Sequence, residues 1–187
     1  MLTKIGIRGF KSIYDIQDLE LGQVNVFIGA NGSGKSNLLE AVGMLSAAAA
    51  GRVDAKHLLE RGVRHGGPGL YKTSLKKEKY QTLTLEAEGR WNDDRTKYEI
   101  NLDNPLKNPT DTWQYLREQL WRNDRKILER RLTNISFTDT DLYQFSDMED
   151  NSGAFNYLAK SGFKNAVTDF YNVLKAYIIF APTTPVL

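Results

Sequence analysis

The 187-residue sequence predicts an α/β fold that combines a parallel core strand and a helix with a layer of antiparallel β hairpins. The apolar run VNVFIG at 24–29 is typical of a strand buried on both faces. A glycine-rich loop and an amphipathic helix follow it directly. Two later segments alternate apolar and polar residues, as strands with one buried face do. The length of 187 residues predicts a single domain with its own core.

The first third of the chain predicts two strands, a core strand, a loop and two helices. Isoleucines alternate with polar residues through 2–21, which indicates two short strands around a turn near 9–11. Beyond the glycine loop, apolar residues from Leu38 onwards recur at helical spacing, and Gly51 is placed to close that helix at C′. A short helix is predicted over 54–62, where an aspartate serves as N-cap and a glycine marks the exit.

The middle of the chain predicts antiparallel strands. Alternation in YQTLTLEAEGRW (80–91) and TKYEINLD (96–103) predicts a hairpin. The stretch 113–132 fits a helix through its spaced leucines, or a second hairpin through the central Asn-Asp of RNDRK. We favour the hairpin, because it would extend the first hairpin into one antiparallel sheet.

The last third predicts a loop, a helix and a strand. The acidic stretch through Ser152 has a loop composition, with room for one short strand. Val167, Phe170, Tyr171 and Leu174 are spaced as on one face of a helix. A strand is expected at 177–180, stopped by the proline that follows.

The sequence GANGSGKS at 29–36 matches the phosphate-loop pattern G-x-x-x-x-G-K-[ST]. Backbone N–H groups from 31 to 36 can turn inward around a polyanion, and the following helix presents the positive end of its dipole. Lys35, the candidate catalytic residue, is expected to reach the β- and γ-phosphates of ATP, and Ser36 to offer its hydroxyl to Mg²⁺. The predicted nucleotide-binding residues of the loop are Gly29, Ala30, Asn31, Gly32, Ser33, Gly34, Lys35, Ser36 and Asn37.

Composition narrows the class of protein. Cysteine is absent, which excludes disulfides and thiolate metal sites, and no run is long enough to span a bilayer, so we expect a cytoplasmic protein without a membrane partner. The segment from Lys56 to Lys79 contains seven Lys or Arg residues and two Glu residues. Such a segment fits either a DNA-binding surface or a solvated loop.

The segments IRGFKSI (7–13) and LELGQVNVFIGANGSGKSNLLEAV (19–42) resemble the N-terminus of the SMC/RecF-type branch of ABC ATPases. They are most similar to RecF-like AAA-domain ATPases of the overcoming-lysogenisation-defect kind, found in anti-phage defence. LREQLWRNDRKILERR (116–131) and YIIFAPTTPVL (177–187) resemble later stretches of the first lobe more loosely. The resemblance implies an ABC-type head, lobe I, in which Lys11 and Ser12 also approach the nucleotide, with Arg8 as a weaker candidate or a solvent-facing residue.

Family members also use features that we do not find in this sequence. These are a signature like L-S-G-G, a later apolar strand ending in Asp-Glu, and a switch histidine. The nearest match to the Asp-Glu strand, LYQFSDMED at 142–150, is interrupted by polar residues. His57 and His65 come too early for the switch and are expected at the surface. We therefore expect residues 1–187 to be one lobe that ends before the signature and the Asp-Glu strand, and to hydrolyse little ATP alone.

Three functions stay open from the sequence. The first is an ATP-dependent switch that engages a second lobe or head, with DNA or a nuclease or toxin as a further partner. The second is a compact P-loop kinase, with the arginines of 122–131 in a lid. The third is a non-catalytic module that binds nucleotide in order to fold or dock.

Overall fold

A computed structural model describes residues 1–73, 82–91, 93–137, 151–160 and 166–180. The strands are β1 (Leu2–Phe10), β2 (Ile13–Glu20), β3 (Leu83–Trp91), β4 (Asp94–Asp103), β5 (Gln114–Arg122), β6 (Arg125–Arg131) and β7 (Asn134–Phe137). The helices are α1 (Lys35–Ala49), α2 (Ala55–Leu59), α3 (Pro68–Tyr71), α4 (Ala154–Lys160) and α5 (Ala166–Lys175).

The strands form one seven-stranded antiparallel sheet in the order β2-β1-β3-β4-β5-β6-β7. β5 and β6 are joined by Asn123 and Asp124, whose φ values of 48° and 65° suit a two-residue type I′ turn. The hairpin over 113–132 is therefore confirmed. Its pairing with the preceding hairpin is confirmed as well, because β4 lies beside β5.

One face of this sheet carries the core. Leu83, Leu85 and Ile100 are almost completely buried on it, while the residues between them are more exposed. α1 and α5 pack against this face. In α1 every residue from Glu40 to Ala49 is buried, so the helix is covered nearly all round, where the sequence indicated a single stripe.

The end of α1 confirms the role predicted for Gly51. Its φ is 103°, its N–H donates to Ala48 O at 2.9 Å, and the N–H of Arg52 donates to Ala47 O at 3.3 Å. This pair of bonds is the Schellman motif. The helix over 54–62 is also confirmed in α2, where the Asp54 carboxylate accepts from the His57 N–H at 2.9 Å.

A buried polar network joins α4 to the sheet. The carboxylate of Glu118, on β5, accepts from the N–H groups of Ala154 and Phe155, both at 2.8 Å, and from the Tyr98 hydroxyl at 2.8 Å. Arg130, on β6, lies 3.7 Å away from it, and both side chains are fully buried. Burial raises the pKa of Glu118, although its four partners act in the opposite direction. Glu118 thus caps a helix that is distant in sequence.

The predicted parallel core strand at 24–29 is not a strand in the structure. Val24, Val26 and Ile28 are 84%, 78% and 92% exposed. A strand buried on both faces needs neighbouring strands and covering layers, and the part of the chain that the structure describes brings none to this segment. The antiparallel hairpin layer is confirmed, whereas the parallel core is absent from the described residues.

Two further differences lie in the second half of the chain. Residues 177–180 form no strand; Ile178 and Phe180 are 65% and 87% exposed. The helix that precedes them is confirmed as α5. The acidic stretch contains β7, in agreement with the prediction of at most one short strand there. The helix α4 was not predicted. LYQFSDMED at 142–150 lies outside the described residues.

Candidate nucleotide-binding site

The glycine loop leads into an uncapped helix N-terminus. Gly34 is the N-cap of α1 with a φ of 97°, and Gly32 has a φ of 82°. Only glycine adopts such angles at little cost, which explains its use at both positions. No side chain caps the helix, and its first turn contains no acidic residue. The free N–H groups and the helix dipole therefore favour an anion at this end.

Lys35 folds back over the loop that precedes it. Its ammonium donates to Gly29 O at 2.7 Å and to Ala30 O at 2.8 Å, and lies 3.4 Å from Ser33 Oγ. The charge is thus held by neutral acceptors beside the uncapped helix end. A bound phosphate would offer this ammonium a charged acceptor in exchange, and charge-assisted hydrogen bonds are the stronger kind.

The turn between β1 and β2 lies against the glycine loop. Ser12 Oγ accepts from Asn37 Nδ2 at 2.7 Å, and a Cβ built on Gly34 would lie 3.0 Å from the same oxygen. Lys11, with a φ of 49°, pairs with Glu40. The structure therefore brings Lys11 and Ser12 to the phosphate-loop end of α1.

The remaining predicted loop residues face solvent. Asn31, Gly32, Ser33 and Ser36 are exposed, so their backbone and the Ser36 hydroxyl are accessible to a ligand. A cavity of about 710 Å³ adjoins the loop; β2 and the residues from Val26 to Ile28 form its other wall. Its size lies in the range of small-molecule sites.

Glu40 and Arg64 belong to this region, and we did not predict either from the sequence. The Glu40 side chain is only 4% exposed and accepts from Lys11 Nζ and from Arg64 Nε. Arg64 also donates to Asn37 Oδ1 at 3.3 Å. Burial raises the pKa of Glu40, but the hydrogen bonds from Arg64 and Lys11 outweigh it and lower the pKa below the usual 4.5.

The sequence contained a signal for each of these two residues. Glu40 stands within the SNLLEA segment that follows the loop, and Arg64 stands in the basic segment from Lys56 to Lys79. Spacing along the chain could not show that the two meet, because 24 residues separate them. Folding of the loop before α3 onto α1 creates the contact.

Other residues considered from the sequence have structural roles. Arg8 is about half exposed and lies 3.4 Å from Asp15, as a solvent-facing strand residue would. In the basic segment, Arg61 is buried and donates to Ser46 Oγ at 2.7 Å, and Lys72 is buried beside Asp103 at 2.6 Å. His65 is exposed, whereas His57 is half-buried and lies 2.7 Å from Asp54.

Residues 24–177 match the protein family described as "AAA domain, putative AbiEii toxin, Type IV TA system". Because the match covers most of the chain, the chain belongs to this family of P-loop ATPases, which is related to the RecF- and SMC-like ATPases. The family implies an α/β NTPase fold.

A curated relative gives a shorter match. The uncharacterized protein MJECL44 of Methanocaldococcus jannaschii is 51% identical to this chain over 41 residues. The match spans 22% of this chain and 12% of the relative's length. No helix among the described residues is long and apolar enough to cross a membrane.

Proposed function

We propose that residues 1–187 are the ATP- and Mg²⁺-binding N-terminal lobe of an SMC/RecF-like ATPase. This lobe would act in the cytoplasm as a nucleotide-dependent switch in DNA metabolism or anti-phage defence. The observation that carries the proposal is the uncapped start of α1 behind a loop with two positive-φ glycines, with the Lys35 ammonium beside it. Membership of the AAA-domain family supports the proposal.

The residues present fit a magnesium-bound triphosphate. Asn31, Gly32 and Ser36 are exposed, so backbone N–H groups of the loop can donate to phosphate oxygens. Lys35 can exchange its carbonyl partners for the β- and γ-phosphates. The Ser36 hydroxyl is exposed and would be a magnesium ligand. Magnesium, when bound, neutralises charge on the phosphates. Lys35 orients the phosphates and adds one positive charge.

The partner of this lobe would be a second ATPase lobe or head, on the same chain, a second copy or another chain. Exposed apolar side chains in two places support this: Val24, Val26 and Ile28 beside the phosphate loop, and Ile178 and Phe180 after α5. Clustered exposed apolar side chains often mark an interaction surface. A partner strand beside 24–28 would also give this segment the hydrogen bonds that a buried strand requires.

Little hydrolysis is expected from the isolated lobe. The sequence lacks an identifiable general base of the Asp-Glu kind and a signature that would oppose the phosphate loop. Positioning and charge stabilisation of the transferring phosphoryl group would then be incomplete. Turnover clearly above that of a Lys35→Ala variant would contradict this part of the proposal.

The family description names a putative toxin and a type IV toxin–antitoxin system, which supports a role in defence. Direct DNA binding has weaker support, because Arg61 and Lys72 of the basic segment are buried. A kinase lid is not favoured either, since Arg122 bonds Asp94 at 2.6 Å and Arg130 is buried.

Nucleotide-dependent association tests the switch. The chain is studied alone and mixed with a separately expressed ATPase lobe that carries a signature and an Asp-Glu strand, and complex formation is followed by analytical ultracentrifugation. We expect association with Mg-ATP, loss of association without nucleotide, and loss with the Lys35→Ala variant. Association that is equally strong without nucleotide would contradict a nucleotide-dependent switch.

A further inference from the structure

Two cations lie beside the phosphate loop but outside the predicted motif. The Lys11 side chain is 13% exposed, and its Nζ lies 5.0 Å from the centre of the Tyr71 ring. The Arg64 side chain is 66% exposed, so a ligand can reach it from solvent. They come from two segments that are far apart in sequence, the β1–β2 turn and the loop before α3.

One buried carboxylate holds both of them. Glu40 accepts from Lys11 Nζ through Oε2, and from Arg64 through both carboxylate oxygens. The Arg64 backbone N–H also points at Oε1, at 3.4 Å. A buried carboxylate with several charged donors fixes those donors in direction, because leaving it unpaired would be costly.

The contacts continue from this cluster to the helix N-cap. Arg64 Nη2 donates to Asn37 Oδ1 at 3.3 Å, and Asn37 Nδ2 donates to Ser12 Oγ at 2.7 Å. Ser12 Oγ in turn lies where a Cβ on Gly34 would touch it. A cavity of about 500 Å³ is lined in part by Lys11, Ser12 and Arg64, and Ser12 also lines the cavity beside the phosphate loop. The cluster is therefore continuous with the phosphate loop.

We propose that Glu40 is a positioning residue, which holds Lys11 and Arg64 at the phosphate loop so that both cations face the phosphate chain of the bound nucleotide. The inference rests on the proposed nucleotide binding and deepens it. Glu40 itself touches no phosphate, since its carboxylate is buried behind the two cations. Together the three groups leave one net positive charge for the ligand.

The test measures dissociation constants for Mg-ATP and, separately, for inorganic tripolyphosphate, which has no nucleoside. Wild type is compared with Glu40→Gln, Arg64→Ala and the double variant. Loss of one well-placed charged hydrogen bond corresponds to about tenfold weaker binding, so we expect about tenfold for each single variant. The double variant should lose little more than either, because Glu40 acts partly through Arg64. The affinities for Mg-ATP and for tripolyphosphate should fall by the same factor.

Two controls separate positioning from general damage. Glu129→Gln removes a carboxylate that pairs with Lys126 and Arg131 on β6, which is separated from β2 by four strands of the sheet, and should leave both affinities unchanged. Glu40→Asp keeps the charge and should restore part of the affinity that Glu40→Gln loses. Arg64→Ala changes a mostly exposed side chain and should keep the fold, whatever Glu40→Gln does to stability.

Three results would count against the inference or against the proposed function. Affinities within twofold of wild type in Glu40→Gln and Arg64→Ala, with binding abolished by Lys35→Ala, would overturn this inference and leave nucleotide binding intact. Fully additive losses would also overturn it, since Glu40 would then act independently of Arg64. Wild-type protein that binds neither ligand would remove the proposed function itself, and this inference with it.

Discussion

Replacing Arg130 with methionine removes a positive charge that lies 3.7 Å from the buried Glu118 carboxylate. Arg130 is fully buried, lies 5.2 Å from the centre of the Tyr115 ring, and donates to Leu132 O at 2.6 Å. Methionine keeps the apolar volume but neither the charge nor the donors. Glu118 keeps its bonds from Ala154 and Phe155.

The cost follows from leaving a buried charge without its counter-charge. Breaking a buried ion pair from one side costs about 3–5 kcal/mol. For a domain of this length, each kcal/mol lowers Tm by about 2–4 °C, so the expected drop is roughly 6–20 °C. The stability difference between wild type and Arg130→Met should shrink as the pH falls through the raised pKa of Glu118, because a neutral carboxylic acid needs no counter-charge.

Urea unfolding followed by circular dichroism measures the effect at neutral and at acid pH. Arg131→Met is the matched control: it changes the same residue type at the next position, where the side chain is 73% exposed. We expect it to cost less than about 0.5 kcal/mol. Equal stability losses for the two variants, or an Arg130→Met deficit that does not depend on pH, would refute the reasoning about the buried pair.

Three further predictions concern the loop, the cluster beside it and the exposed segment. Gly34→Ala should lower the free energy of unfolding by about 1–2 kcal/mol, and by more than Gly32→Ala does. Both glycines have a positive φ, but only a Cβ at Gly34 would meet Ser12. Equal losses for the two variants in urea titrations would contradict this. Because folding lowers the pKa of Glu40, this carboxylate stabilises the fold above about pH 4.5, and the stabilisation is lost as the pH falls through the lowered pKa. Glu40→Gln should therefore make the free energy of unfolding depend less on pH in the acid range. An unchanged pH dependence in the acid range would contradict this. Val26→Lys should change the free energy of unfolding by less than about 0.5 kcal/mol but prevent association with a second lobe. Val63→Lys places the same charge at a buried position and should unfold the chain in thermal melts. Normal association of Val26→Lys would count against the exposed segment as an interface.

Local patterns were sufficient where local physics decides the structure. Asn123 and Asp124 tolerate positive φ, so the turn chemistry predicted the β5–β6 hairpin. The end of α1 was predictable because Gly51 has no Cβ and can take the left-handed conformation. The glycine loop followed from spacing alone, and it lies at the start of α1 as expected.

The wrong and missed predictions depend on contacts that sequence spacing does not encode. The segment 24–29 has the composition of a buried strand, but the described residues supply no neighbouring strands for it. α4 lies in a stretch with a loop composition, and its N-terminus is capped by Glu118 from another element. Glu40 and Arg64 meet only after the loop before α3 packs on α1.

Calorimetric titration of the folded chain with Mg-ATP tests the central claim most directly. We expect one saturable site, a marked loss of affinity in Lys35→Ala, and retained affinity in Lys126→Ala, which changes an ammonium at the far side of the sheet. A folded wild-type protein that takes up no Mg-ATP, or a Lys35→Ala variant that binds as tightly as wild type, would contradict the assignment of the glycine loop as a nucleotide site.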